Sequence, residues 1–178
     1  HSGLSTADDL TVFQKGVTGP NWSIKLGKDG PAQAWTGGGR TSEDQSLTAK
    51  TTDVGQQENA INCTWHGFES CLSFYHLPLD LSRELNAGFG FTLIASRDST
   101  NYESIRLLAF SGDRWSDIGP LGELMVWSDD ETLIVFEILL QHLQKAGTDL
   151  TCLQALAFSG RDGAQLTMLH LAVEMPRT

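Results

Sequence analysis

Eight short stretches of the chain carry β-branched, aromatic or alternating residues between turn signals: 10–13, 22–26, 61–65, 72–77, 89–95, 105–110, 133–139 and 166–173. In the early ones apolar side chains take every second position, as with Trp22, Ile24 and Leu26 against Asn21, Ser23 and Lys25. Successive side chains of a strand point to opposite faces, so this pattern predicts strands with one wet face. Later stretches, such as 105–110 and Leu133-Ile134-Val135-Phe136, are apolar on both faces and predict central strands covered on both sides. Two stretches read as short helices: 80–86, with Asp80 or Ser82 as a cap, and 139–146, closed by Gly147. The fold expected is all-β, a two-sheet antiparallel β-sandwich with crossing connections, jelly-roll or galactose-binding-domain-like.

Three segments carry more specific expectations. Residues 27–54 are polar and turn-rich around Gly37-Gly38-Gly39 and read as a long connection with one edge strand. Residues 112–130 contain Gly112, Gly119, Pro120 and Gly122, which predict a long loop at one end of the sandwich. Gly67 permits a tight turn, so 61–65 and 69–75 are expected to form a hairpin centred on it. That register sets Cys63 opposite Cys71, and directly opposed Cα atoms lie about 4.5–5.5 Å apart, within disulfide range.

A length of 178 residues suits one domain, taken as 5–178, with His1-Ser2-Gly3-Leu4 read as a tag remnant. No apolar run approaches the roughly 18 residues that a membrane span needs. Asp and Glu number 22 against 12 Lys and Arg, and the resulting charge of −10 repels phosphate backbones, which argues against a nucleic-acid partner. Three cysteines allow at most one internal bridge and leave the compartment open.

Catalytic chemistry finds little to stand on. The run Gly37-Gly38-Gly39-Arg40-Thr41 lacks the lysine and the helix of a phosphate loop. The histidines are scattered, no Cys-x-x-Cys is present, and a Gly-x-Ser-x-Gly elbow is missing. Asp129-Asp130-Glu131 supplies carboxylates, but adjacent loop carboxylates normally face solvent rather than a scissile bond. The aromatics say more, because sugar rings present apolar C–H faces that stack on indoles while polar side chains take the hydroxyls. Trp115 and Trp127 fall in the 112–130 segment beside Asp113 and Arg114, and Trp35 falls in the Gly-rich connection. These five residues are the candidate carbohydrate contacts. Trp22 and Trp65 occupy alternating strand positions and are assigned to the core.

Several strings, taken in order, resemble the C-terminal module of bacterial glycoside hydrolase family 3 exo-β-glucosidases of the ExoP type. They are Gln57-Glu58-Asn59-Ala60, Trp65-His66-Gly67, Asp80-Leu81-Ser82-Arg83-Glu84 with Asn86, then 138–143, Ala146-Gly147-Thr148-Asp149 and Gln165-Leu166-Thr167. The family's paired cysteines have no counterpart near 112–122, and Leu133 and Leu139 stand where a tryptophan and a proline are usual. The resemblance implies a non-catalytic, carbohydrate-binding-like module of a secreted β-glucan-degrading enzyme, periplasmic or extracellular, with the catalytic residues on other domains. Its partners would be a β-glucan or oligosaccharide and the catalytic domains of the parent chain. No cofactor is implied beyond the structural calcium that jelly-roll sugar modules frequently hold, for which Asp8, Asp9, Asp53 and Glu174 are available donors. Two other readings compete: an accessory domain that packs on a catalytic barrel without binding sugar alone, and an independent glycosidase needing two carboxylates about 5–10 Å apart.

Overall fold

The computed structural model describes residues 3–177 except 29, 56, 68, 127 and 129. Its strands are β1 (Gly3–Leu4), β2 (Thr11–Gln14), β3 (Val17–Thr18), β4 (Ser23–Leu26), β5 (Gly39–Thr41), β6 (Leu47–Val54), β7 (Gln57–Trp65) and β8 (Ser70–Asp80). After helix α1 (Ser82–Asn86) come β9 (Gly90–Ser96), β10 (Arg106–Ser111), β11 (Arg114–Pro120), β12 (Met125–Val126) and β13 (Leu133–Leu139). Helix α2 (Leu140–Lys145) then leads to β14 (Leu153–Gly160) and β15 (Gln165–Glu174).

Two sheets result. One runs β1-β8-β14-β10-β11, with β4 also paired to β8; the other runs β12-β13-β9-β15-β7-β6-β5, with β2 and β3 attached to β15. Among the described residues every strand pairing is antiparallel except β1 with β8. Hairpins link β2 to β3, β5 through β7, β10 to β11 and β12 to β13; the other connections pass from one sheet to the other. This is the antiparallel sandwich with crossing connections that the alternation predicts.

Several local expectations are corrected. The segment 112–130 is not a long loop: much of it is β11, paired along β10 through a two-residue turn in which Gly112 and Asp113 both have positive φ. Within 27–54 the connection holds a full eight-residue strand, β6, besides β5. Strand β14, at the centre of its sheet, carries no early alternation signal because Ala155 and Ala157 are weak strand formers. Gly3 and Leu4, expected to lie outside the fold, pair with Leu79 and Asp80.

The hairpin around Gly67 does not form. Gly67 does take a left-handed turn, φ 82°, but the chain there crosses between sheets: Cys63 lies opposite Ala49 and Leu166, and Cys71 opposite Ser159. All three cysteines are free thiols. A tight turn is compatible with either a hairpin or a crossing, and the choice is made by Trp65. Its indole packs against Gly160, where an added Cβ would come within 2.6 Å of the ring, and its Nε1–H donates to the Ser70 carbonyl at 2.8 Å. Trp65 thereby joins the core of Phe13, Phe74, Phe91, Phe136 and Phe158 between the sheets.

The Asp80 to Asn86 string is structural. The Asp80 carboxylate accepts from the Ser82 amide at 2.9 Å, while Arg83 donates to the Ser5 carbonyl and Ser5 Oγ donates to buried Glu84 at 2.6 Å. The same N-terminal segment is held by Asp9, whose carboxylate accepts from the Thr6 amide at 2.8 Å and from Asn21 Nδ2 at 2.8 Å, and meets His76 Nε2 at 2.8 Å. Burial would raise the pKa of Asp9, but the hydrogen bonds from Thr6, Asn21 and His76 outweigh it and hold the group at about 2.

Two outcomes are expected. Gly160→Ala should lower stability by about 1–3 kcal/mol through overpacking against Trp65, read as a shifted urea midpoint; an unchanged midpoint would contradict the indole contact. Asp9 has a depressed folded-state pKa, so its contribution is complete above the unfolded value of 3.8 and is lost as pH falls from there toward about 2. Asp9→Asn should lower stability at neutral pH by about 2 kcal/mol and flatten the melting-temperature profile between those two pH values.

Candidate functional site

Because Ser70 is buried at the start of β8, Leu72 and Phe74 turn toward the other sheet and Cys71, Ser73 and Tyr75 turn outward. Pairing carries that choice across the sheet. Ser23, Tyr75, Ala155, Phe110 and Trp115 lie side by side on five strands. A second row holds Lys25, Ser73, Ala157, Leu108 and Asp117, and a third holds Cys71, Ser159 and Arg106. With strands about 4.8 Å apart, Tyr75 to Trp115 spans roughly 14 Å. Between these flanks lies a trough of about 410 Å³, lined by Cys71, Ser73, Tyr75, Leu108, Trp115 and Ser159, with Lys25 and Lys28 at its border.

The trough is open and mixed in character. Trp115 is 47 % exposed, and its ring lies 4.8 Å from that of Phe110. Tyr75, Leu108 and Phe110 are half-buried. Burial raises the pKa of the Tyr75 phenol, and the neighbouring Cys71 adds to the effect, so the hydroxyl keeps its proton and can donate as well as accept. Burial likewise raises the Cys71 thiol. Arg106 forks onto Asp117, with Nη2 donating at 2.9 Å and Nε at 3.1 Å, and Arg161 donates to Glu69 at 3.0 and 3.1 Å. Both carboxylates are thus exposed and engaged by guanidinium groups, outside the apolar surroundings that a glycosidase acid requires. An aromatic row beside polar groups at hydroxyl height is suited to holding a sugar chain flat.

Of the residues singled out in the sequence, Trp115 stands on this face, on a strand rather than a loop. Asp113 is at the exposed hairpin tip, where its amide donates to Gln154 Oε1 at 3.3 Å. Arg114 is opposite Ser111, one position out of phase with Trp115, so it leaves the other side of the sheet. Trp35 is buried in the core, 1 % exposed, with the Arg40 guanidinium 4.9 Å from its ring centroid, and does not stand on this face. Trp127 lies outside the described residues. Tyr75, Phe110, Lys25 and Arg106 were not anticipated. Lys25 stands on the wet face that the alternation of 22–26 predicts, and Phe110 belongs to a stretch apolar on both faces, one of which is open rather than covered.

The proposed calcium donors do not converge. Asp9 is engaged as described, Asp53 accepts from the Asn59 amide at 3.2 Å, and Glu174 meets His170 and Arg177. Among the described residues no group of three or more His, Cys, Asp or Glu side chains could hold a metal ion. No helix among them is long and apolar enough to cross a membrane.

No family profile matches the chain, and no curated protein matches it. Solved structures do. The extra C-terminal domain of an exo-1,3/1,4-β-glucanase (ExoP) from a Pseudoalteromonas species superposes with a TM-score of 0.68 at 17 % identity, covering 95 % of this chain and 94 % of that domain. The full-length ExoP enzyme gives 0.67 at 17 % identity, covering 98 % of this chain and 21 % of the enzyme. A family 11 carbohydrate-binding module from Clostridium thermocellum, in complex with a β-1,3-1,4-mixed-linked tetrasaccharide, gives 0.54 at 13 % identity, covering 93 % of this chain and 95 % of that module. At such identities the likeness establishes the fold, the β-sandwich of carbohydrate-binding modules.

If the exposed indole is a platform rather than part of the core, Trp115→Ala should change stability by less than about 1 kcal/mol, whereas Trp65→Ala should cost about 3–5 kcal/mol. Chemical denaturation of the two variants separates the cases, and a large loss at position 115 would make that indole part of the core.

Proposed function

We propose that this chain is a non-catalytic glycan-binding module and that the outer face of its six-stranded sheet receives a β-glucan chain. The observation that carries the reading is the single cross-strand row of Tyr75, Phe110 and Trp115 on an open face. Rings left in water at the edge of a trough, where the same residues turned inward would stabilise the core, are best explained by a ligand that covers them. Support comes also from the fold shared with the extra domain of ExoP and with a module crystallised with a mixed-linked β-glucan tetrasaccharide. On this reading the module belongs to a larger periplasmic or extracellular polysaccharide-degrading protein, and Asp113 at the hairpin tip approaches the end of the bound chain.

A second reading has one observation in its favour. Leu77 is 81 % exposed and Leu4 59 %, both near the β1–β8 seam, as expected of a surface that packs on another domain. Affinity electrophoresis through gels containing laminarin or barley β-glucan tests the glycan reading. Retardation of the native chain, weakened roughly tenfold in Trp115→Ala at an unchanged melting temperature, is the expected result. Absence of retardation in both gels would leave the packing surface as the better account.

A further inference from the structure

The charge on this face runs against the charge of the molecule. The chain carries −10 overall, with only 12 lysines and arginines against 22 acids. Among the described residues, Lys25, Lys28 and Arg161 line the trough or the cleft that continues it together with Glu69, and Arg106 and Asp117 stand beside them. Each acid is already matched by an arginine, Asp117 by Arg106 and Glu69 by Arg161. That leaves the ammonium groups of Lys25 and Lys28, which have no ion-pair partner among the described residues.

Their placement is set by the fold. Lys25 is opposite Ser73 in β4, so it stands one row below Tyr75 on the same face. Lys28 follows Gly27, whose φ of 75° turns the chain at the end of β4 back over the trough, where its charge acts on the Cys71 thiol. Two unpaired cations therefore lie alongside the aromatic row within one trough.

We propose that this face prefers a glucan-like chain that carries sparse carboxylate groups, which reach Lys25 and Lys28 while the sugar rings stack on Tyr75, Phe110 and Trp115. The inference rests on the reading of this face as a glycan platform and names the chemical class that it prefers. A neutral glucan would use the ammonium groups only as hydrogen-bond donors, a task that serine, asparagine or glutamine performs without placing like charges side by side. The two acids on the rim limit how much negative charge the trough accepts. It is matched to chains with sparse single charges rather than to densely sulfated ones.

The test compares the native chain on laminarin, carboxymethyl-laminarin and sulfated laminarin of matched backbone length. The expected result is retention of the carboxymethylated polymer about five to ten times tighter than that of the neutral one at low ionic strength. That preference should shrink toward parity at about 0.5 M salt, where the Debye length falls to a few Å. A K25Q/K28Q variant should bring the ratio of the two affinities to within about twofold of one, while K25R/K28R keeps it. Equal binding of neutral and carboxymethylated polymers, both lost in Trp115→Ala, overturns this inference and leaves the glycan platform standing. Tighter binding of the sulfated polymer overturns the carboxylate assignment in favour of unselective anion attraction. Retention of none of the three overturns the platform and this inference together.

Discussion

The open face of the sandwich depends on where β8 begins, and the indole of Trp65 sets that point. By lying against Gly160 and donating to the Ser70 carbonyl, it ties the end of β7 in one sheet to the first residue of β8 and the last of β14 in the other. Side chains of a strand alternate strictly, so a slip of one residue would turn Tyr75 and Ser73 into the core and put Phe74 and Leu72 in water. Few single contacts in the molecule decide the placement of so many others. Only a glycine at position 160 leaves room for it.

From that starting point the trough follows by pairing alone. Strand β14 has two tasks on its two faces: Leu156 and Phe158 fill the core, and Ala155 and Ala157 keep the outer side low between Tyr75 and Phe110. The aromatic rims protect one another in part, Trp115 against Phe110, which limits the apolar surface left in water until a ligand arrives. The polar groups of the trough are neutral, as with Tyr75 and Cys71, held in arginine–carboxylate pairs, or the ammonium groups of Lys25 and Lys28.

The same logic accounts for which residues the resemblance to the ExoP-type modules preserves. The string from Asp80 to Asn86 is carried by hydrogen bonds that cap α1 and fasten the N-terminal segment, not by contact with the trough. Shared strings of this kind report the scaffold. The face itself is built from positions outside those strings, and so its chemistry has to be read from this chain's own residues.

By itself the sequence determined the fold class, because burial of one strand face leaves a period of two wherever the other face is wet: Trp22, Ile24 and Leu26 all lie inward, as the alternation requires. It also determined the two helices to within a residue or two, and the assignment of Trp22 and Trp65 to the core. Three things needed the tertiary structure. Turn residues specify how sharply a chain bends but not which sheet it enters, so Gly67 was equally consistent with a hairpin and with a crossing. Weak strand formers such as Ala155, and breakers such as Gly119 and Pro120, hide β14 and β11, which exist because neighbouring strands supply their hydrogen bonds. And an aromatic residue has the same letter whether buried like Trp35 or exposed like Trp115: which one meets a ligand is decided by what packs against it, a long-range contact that no local pattern encodes.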